Sequence, residues 1–180
     1  MVLLLGFVSC NEDVLPKPKG YLSLEYPKPM YAEMKSTCPY TFEKNIHAEI
    51  EAPKWKSYCG LNLNYPKLKG KIHITYSPIN NNLKMLLRDA QNLTQEHTVK
   101  ADGIVTIPYE NKKQRAYGMV YDVEGDAASA LQFYVTDSVN HFLSGSIHFH
   151  AKPNYDSILP ASDYLKKDVK ILMESLKWKE

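Results

Sequence analysis

Little in this chain of 180 residues announces a chemistry. It has no Gly-x-Ser-x-Gly turn to expose a nucleophilic serine, no glycine-rich loop to cradle phosphate and no HExxH helix to hold zinc. These absences exclude the motif-bearing hydrolases, nucleotide binders and zinc proteases, although a site assembled from distant positions stays open. An excess of one charge is also missing. The 22 Lys plus Arg stand against 20 Asp plus Glu, leaving a formal charge of +2. That lacks the strongly basic footprint of a nucleic-acid binder. No internal repeat is visible, and no apolar run reaches the roughly 20 residues a membrane-spanning helix needs.

What is present begins at the N-terminus. Met1-Val2-Leu3-Leu4-Leu5-Gly6-Phe7-Val8-Ser9-Cys10 turns polar at Asn11-Glu12-Asp13. An apolar run, a small residue and a cysteine read as the tail of a bacterial lipoprotein signal peptide, with the run suiting a cleaved h-region. Cleavage before Cys10 would free its thiol for diacylglycerol and its amine for a third acyl chain. Several chains anchor stably where one binds only marginally. Leucine is usual at the position of Phe7, and no Lys or Arg precedes the run, so the true start is expected upstream. Residues 1–9 are then signal peptide, Cys10 is the lipidation site, and the mature protein faces the periplasm from a membrane. Asn11-Glu12-Asp13 resembles a surface-export signal, which leaves display on the cell surface open.

Cys38 and Cys59 remain. Outside the cytoplasm disulfides persist, and a bond between these two would stabilise by roughly 3 kcal/mol in the chain-entropy model. Two buried free thiols are the alternative.

Pro16, Pro18, Pro27 and Pro29 make residues 10–30 a lipidated extended tether that cannot be helical. The remaining residues 31–180 suit one globular domain. Tyr40–Glu43 and Ala48–Ala52 are short strand candidates. Leu61–Tyr65 and Lys71–Tyr76 alternate in polarity, as strands with one buried face do, around a turn bracketed by Pro66 and Gly70. Asn81-Asn82 can cap a helix whose apolar positions Leu83, Leu86, Leu87, Ala90 and Leu93 run toward Thr98. Gly103–Tyr109, Arg115–Val123, Leu131–Thr136 and Ser144–His150 are further strands. Lys112-Lys113-Gln114 and Glu124-Gly125-Asp126 are turns. Pro160–Trp178 reads as the best helix, capped by Ser162 or Asp163, with Leu165, Val169, Leu172, Met173 and Leu176 on one face. The order implies a single-domain α+β sandwich, a twisted antiparallel sheet flanked by helices. Tyr117, Tyr121 and Tyr134, among 13 tyrosines, lie on strands and are candidate interface anchors.

His148-Phe149-His150 puts two imidazoles on one strand face, a spacing that chelates zinc or copper once a third ligand and its supports are added. A solvated strand face is the plainer reading, so no metal or other cofactor is expected. His73 and His141 are the other candidates of that type. Asp122–Asp126 echoes a calcium loop but lacks its later bidentate Glu, and is read as an acidic turn. Asp137-Ser138-Val139 and Asp156-Ser157-Ile158 fit an Asp-Ser/Thr-apolar pattern for O-glycosylation at Ser138 and Ser157. Ordinary turn chemistry explains them equally.

Several stretches together are specific. They are Pro16–Tyr21, Ser36-Thr37-Cys38-Pro39-Tyr40, His97–Asp102, Gly125–Ser138, His141–Ser146 and Pro153–Pro160. They resemble the gliding motility lipoprotein GldD family of Bacteroidota over nearly the whole mature chain. The resemblance implies a role in gliding and in the type IX secretion it depends on, and brings no catalytic residues with it. The order of elements is also similar to the Mog1/PsbP sandwich, whose members are mostly binding and assembly factors. The expectation is a non-catalytic assembly or stability factor that contacts the membrane through its lipid, and other gliding and secretion proteins through its surface. Nucleic acid is not an expected partner. The alternative is an enzyme or a small-ligand or peptidoglycan-binding lipoprotein of the envelope.

Overall fold

The computed structural model describes residues 26–54, 57–96, 101–150 and 155–179. The expected signal peptide, Cys10 and most of the tether lie outside the described residues.

The elements in chain order are β1 (Tyr31–Glu33), β2 (Tyr40–Thr41), β3 (Glu43–Asn45), β4 (Glu49–Glu51), β5 (Leu61–Tyr65), β6 (Gly70–Pro78), α1 (Leu83–Glu96), β7 (Gly103–Asn111), β8 (Ala116–Glu124), β9 (Leu131–Thr136), β10 (His141–Phe149), α2 (Tyr155–Ser175) and β11 (Lys177–Trp178). Seven strands form one antiparallel sheet in the order β4-β5-β6-β10-β9-β8-β7. The short pairs β1-β3 and β11-β2 lie outside it. The expected α+β sandwich is therefore the architecture observed.

Alternation in β5 and β6 turns Leu61, Leu63, Ile72, Ile74 and Tyr76 to one face, where they are buried. Leu131, Phe133 and Val135 of β9 and Leu143 and Ile147 of β10 join them in one core with Leu165, Val169, Leu172, Met173 and Leu176 at the C-terminal helix. Full burial of such a side chain is worth about 1.5–3 kcal/mol, so this helix and sheet hold each other. Two strand connections share one device. A single 3₁₀ turn, Pro66–Leu68 or Lys112–Gln114, is closed by a residue in the left-handed region, Lys69 (φ 51°) or Arg115 (φ 50°).

The C-terminal helix departs from expectation at both ends. It begins at Tyr155 and carries Pro160 inside it, so Ser162 and Asp163 are not its cap. Pro160 removes one helical hydrogen bond. Ile158 and Ala161 on either side of it are buried and extend the apolar stripe, which offsets that loss. At the other end, Ser175 Oγ donates back to Ile171 O at 2.7 Å and accepts from Glu43 N–H at 2.8 Å. The chain then leaves the helix, and Lys177-Trp178 pairs with Tyr40-Thr41 as a strand, because the edge of β2 offers ladder bonds there. Strand β10 starts at His141 rather than Ser144. Asp137 organises the hairpin before it, with Oδ1 accepting from the N–H groups of Val139 (2.9 Å), Asn140 (2.8 Å) and His141 (2.8 Å).

Cys38 and Cys59 are joined in a disulfide with Cα atoms 5.5 Å apart, within the usual range. It ties the segment before β2 to the segment before β5. On the second face of the sheet, Leu83, Leu86, Leu87 and Ala90 of α1 pack over Tyr121, Tyr134 and Phe142. Tyr121 and Tyr134 are only 8% and 9% exposed. They are core residues beneath α1 and not interface anchors, and Tyr117 alone of the three candidates is partly exposed.

Candidate functional site

Register, not sequence proximity, builds the most distinctive surface. Pairing places Glu51 opposite Asn62, Asn62 opposite His73, and His73 opposite Ser146. The row continues from Ser146 to Gln132, from Gln132 to Tyr121, and from Tyr121 to Thr106. One polar group per strand thus crosses all seven strands on the face opposite α2. Residues two apart on a strand share a face, so Lys71, Thr75, Ser144 and His148 flank this row.

Helix α1 covers only part of that face, and the uncovered remainder is concave. One cavity of about 360 Å³ lies between Leu86, Ala90 and Leu93 of α1 and a floor of His73, Thr75, Gln132, Ser144 and Ser146. A second, of about 580 Å³, lies between Pro53, Lys54 and Ser57 and a floor of Asn62, Lys71, His73 and Thr75. His73 and Thr75 belong to both, so the two form one trough.

Two histidines on this face, His148 beside the trough and His73 in it, have assignable Nδ1 hydrogens. His148 Nδ1 lies 3.0 Å from Ala128 O. A carbonyl only accepts, so Nδ1 carries a hydrogen, while Nε2 lies 2.9 Å from Ser146 Oγ. His73 Nδ1 faces Asn62 Oδ1 at 2.7 Å and donates likewise. The two rings meet edge to face, 5.1 Å between centroids. Burial first, and then the neighbouring His148, Lys71 and His150, push His73 down to about 4, with Glu51 opposing. His73 is therefore neutral at pH 7. Lys71 Nζ meets Glu51 Oε2 at 2.6 Å, and Asn64 Nδ2 donates to Glu51 Oε1 at 2.7 Å. The hydrogen bond from Lys71 is the main cause that holds Glu51 below its ordinary value.

Other expected site residues fall elsewhere. His150 lines the second cavity, but its backbone bonds Lys69 O at 2.8 Å. His141 is at the far end of β10, stacked on Trp178 with centroids 5.1 Å apart and bonded to Tyr76 Oη at 2.8 Å. Among the described residues no three His, Cys, Asp or Glu side chains converge to hold a metal. Asp122 faces α2, where Lys166 Nζ stands 2.6 Å from its Oδ1. Gly125 turns the chain just after β8 with φ 97°. Ser138 is exposed at the tip of the β9-β10 hairpin, with φ 68°, while Ser157 is half-buried in the first turns of α2. Asp137 beside Ser138 is occupied with the turn itself.

Sequence reasoning missed Asp168. It sits in a lysine-rich stretch that reads as a solvated helix face, yet it is only 4% exposed. Its oxygens accept from Tyr31 Oη (2.6 Å), Tyr65 Oη (2.8 Å) and Asn45 Nδ2 (3.0 Å). Burial, and with it the bonds and charge of Asp168, raise Tyr31 and Tyr65 above the ordinary phenol value. The saturated acceptors make this a structural knot rather than a site.

A second surface lies at the far edge of the sheet. Among the described residues no strand pairs with the outer side of β7. Val105 and Ile107 are 49% and 47% exposed, and Ile107 opens onto an apolar groove of about 350 Å³ floored by Val120 and Leu131 and walled by Val169 and Met173 of α2.

A family model described as gliding motility lipoprotein GldD matches residues 11–178. No curated protein matches the chain.

Proposed function

The chain belongs to the gliding motility lipoprotein GldD family, and from that membership we infer a lipid-anchored, non-catalytic assembly factor for gliding and for the type IX secretion that serves it. The anchor is Cys10, and the domain faces the periplasm. Labelled palmitate entering the wild type but not Cys10→Ala tests that anchor.

The observation that carries the assembly role is the open edge of β7. An edge strand presents unpaired N–H and C=O groups that invite another strand. Pro108 sits in this one with its nitrogen turned away from the sheet, so that position offers a carbonyl but no N–H. Every second residue, Ile104, Thr106 and Glu110, shares that outward backbone direction. The partner that fits is an extended segment of another envelope protein. It adds antiparallel to β7 for main-chain bonds and sets apolar side chains over Val105, Ile107 and the groove beside α2.

The test is a double variant, Val105→Lys with Ile107→Lys. Both residues are about half exposed, so the melting temperature should stay near that of the wild type. Colony spreading should be lost, and crosslinks to envelope partners should disappear with it. Wild-type spreading by this variant would sink the edge-docking reading.

A further inference from the structure

We propose that the trough on the opposite face of the sheet binds a neutral, polyhydroxylated glycan segment, a role separate from partner docking at β7. The ligand class follows from what the trough offers. Its close ion pair among the described residues, Lys71 with Glu51 at 2.6 Å, neutralises itself, while Lys54 and Asp89 stand on opposite walls. An anion would need converging cations, and a cation converging carboxylates. The floor instead carries hydroxyls and carboxamides, Thr75, Ser144, Ser146, Asn62 and Gln132, around the imidazole of His73.

With its Nδ1 engaged as a donor to Asn62, His73 presents Nε2 as an acceptor, and the hydroxyls of Thr75 and Ser144 and the carboxamide nitrogen of Asn62 supply donors beside it. A sugar hydroxyl both donates and accepts, so a row of mixed donors and acceptors matches it. Sugars also carry an apolar C–H face. Leu86, Ala90 and Leu93 on α1 supply its counterpart along one wall. The two adjoining volumes, about 360 and 580 Å³, lie within the ~300–1,000 Å³ of small-ligand sites. They adjoin across His73, which suits a linear chain. A polar face on an antiparallel sheet is commonly just solvated. This one differs in being walled on two sides, by α1 and by Pro53, Lys54 and Ser57.

The chemistry has two sources in an envelope, the N-acetylated glycan of the cell wall and neutral polysaccharide. Calorimetric and NMR titrations of the full chain with chitotetraose and with cellotetraose distinguish them. Saturable 1:1 binding is expected for at least one. Preference for chitotetraose assigns the N-acetylated source, and equal or better binding of cellotetraose assigns the neutral polysaccharide. Removing His73 (His73→Ala) should weaken binding about tenfold, the scale of one buried hydrogen bond lost. Ala90→Trp, which fills the cavity from the helix side, should abolish it, with the melting temperature reporting that each variant is folded. The Val105→Lys, Ile107→Lys variant should bind glycan like the wild type, which separates failure here from failure of the docking reading. No saturation with either sugar at concentrations on the order of 10 mM, or binding that survives both trough substitutions, would overturn the proposal.

Discussion

Removing the Asp168 carboxylate should cost this protein a large share of its stability. Asp168 binds α2 to β1 through Tyr31, to β3 through Asn45 and to β5 through Tyr65. One turn earlier, Tyr164 Oη accepts from the same Asn45 Nδ2 at 3.0 Å and donates to Pro27 O at 2.9 Å. In Asp168→Ala, Tyr31 is exposed enough to recover water. The hydroxyl of Tyr65 and the amide of Asn45 are buried and lose their carboxylate acceptor. Each unsatisfied buried donor costs about 1–3 kcal/mol, giving about 2–6 kcal/mol for the pair. Relief of the buried charge itself pulls toward the lower half of that range. A domain whose whole stability is about 5–15 kcal/mol would register this at once.

Urea unfolding of Asp168→Ala, Tyr65→Phe and the double variant measures it. In the double variant the orphaned hydroxyl is gone, so its cost should fall short of the sum of the singles by about 1 kcal/mol or more. A loss below about 1 kcal/mol for Asp168→Ala, or additivity within about 0.5 kcal/mol, would refute the reasoning.

Two further outcomes are expected. Replacing Cys38 and Cys59 together by Ala should lower stability by about 2–5 kcal/mol, read in denaturant melts, and reduction of the wild type should approach the same value. His73, held down to about 4 from 6.5, binds its proton more weakly in the folded than in the unfolded chain. Its contribution is complete above about 6.5 and is lost as the pH falls toward 4. Melting curves across that window should be flatter for His73→Asn, and parallel curves for the two proteins would contradict the burial and charge assigned to His73.

The period-2 pattern marked β5 to the residue, and helical spacing marked α1, because alternation and the 3.6-residue repeat are local properties that packing only has to accept. The pairing of Cys38 with Cys59 was legible for another reason. Reading Cys10 as the lipid site leaves two thiols, and the location expected of a lipoprotein is one where disulfides persist. The family was readable from its own segments. Local pattern stops at register, which depends on where a strand's partner starts. Whether His73 meets Ser146, and so whether a polar row crosses seven strands, was settled by the pairing of β6 with β10, strands separated by α1 and three others. Burial was beyond reach for the same reason. Tyr121 and Tyr134 became core when α1 folded over them, and Asp168 was buried only because three strands brought it hydrogen-bond donors. The ends of α2 were tertiary decisions too. Buried Ile158 and Ala161 carried the helix through Pro160, and the edge of β2 drew Trp178 out of it, each contact outweighing a local preference worth less.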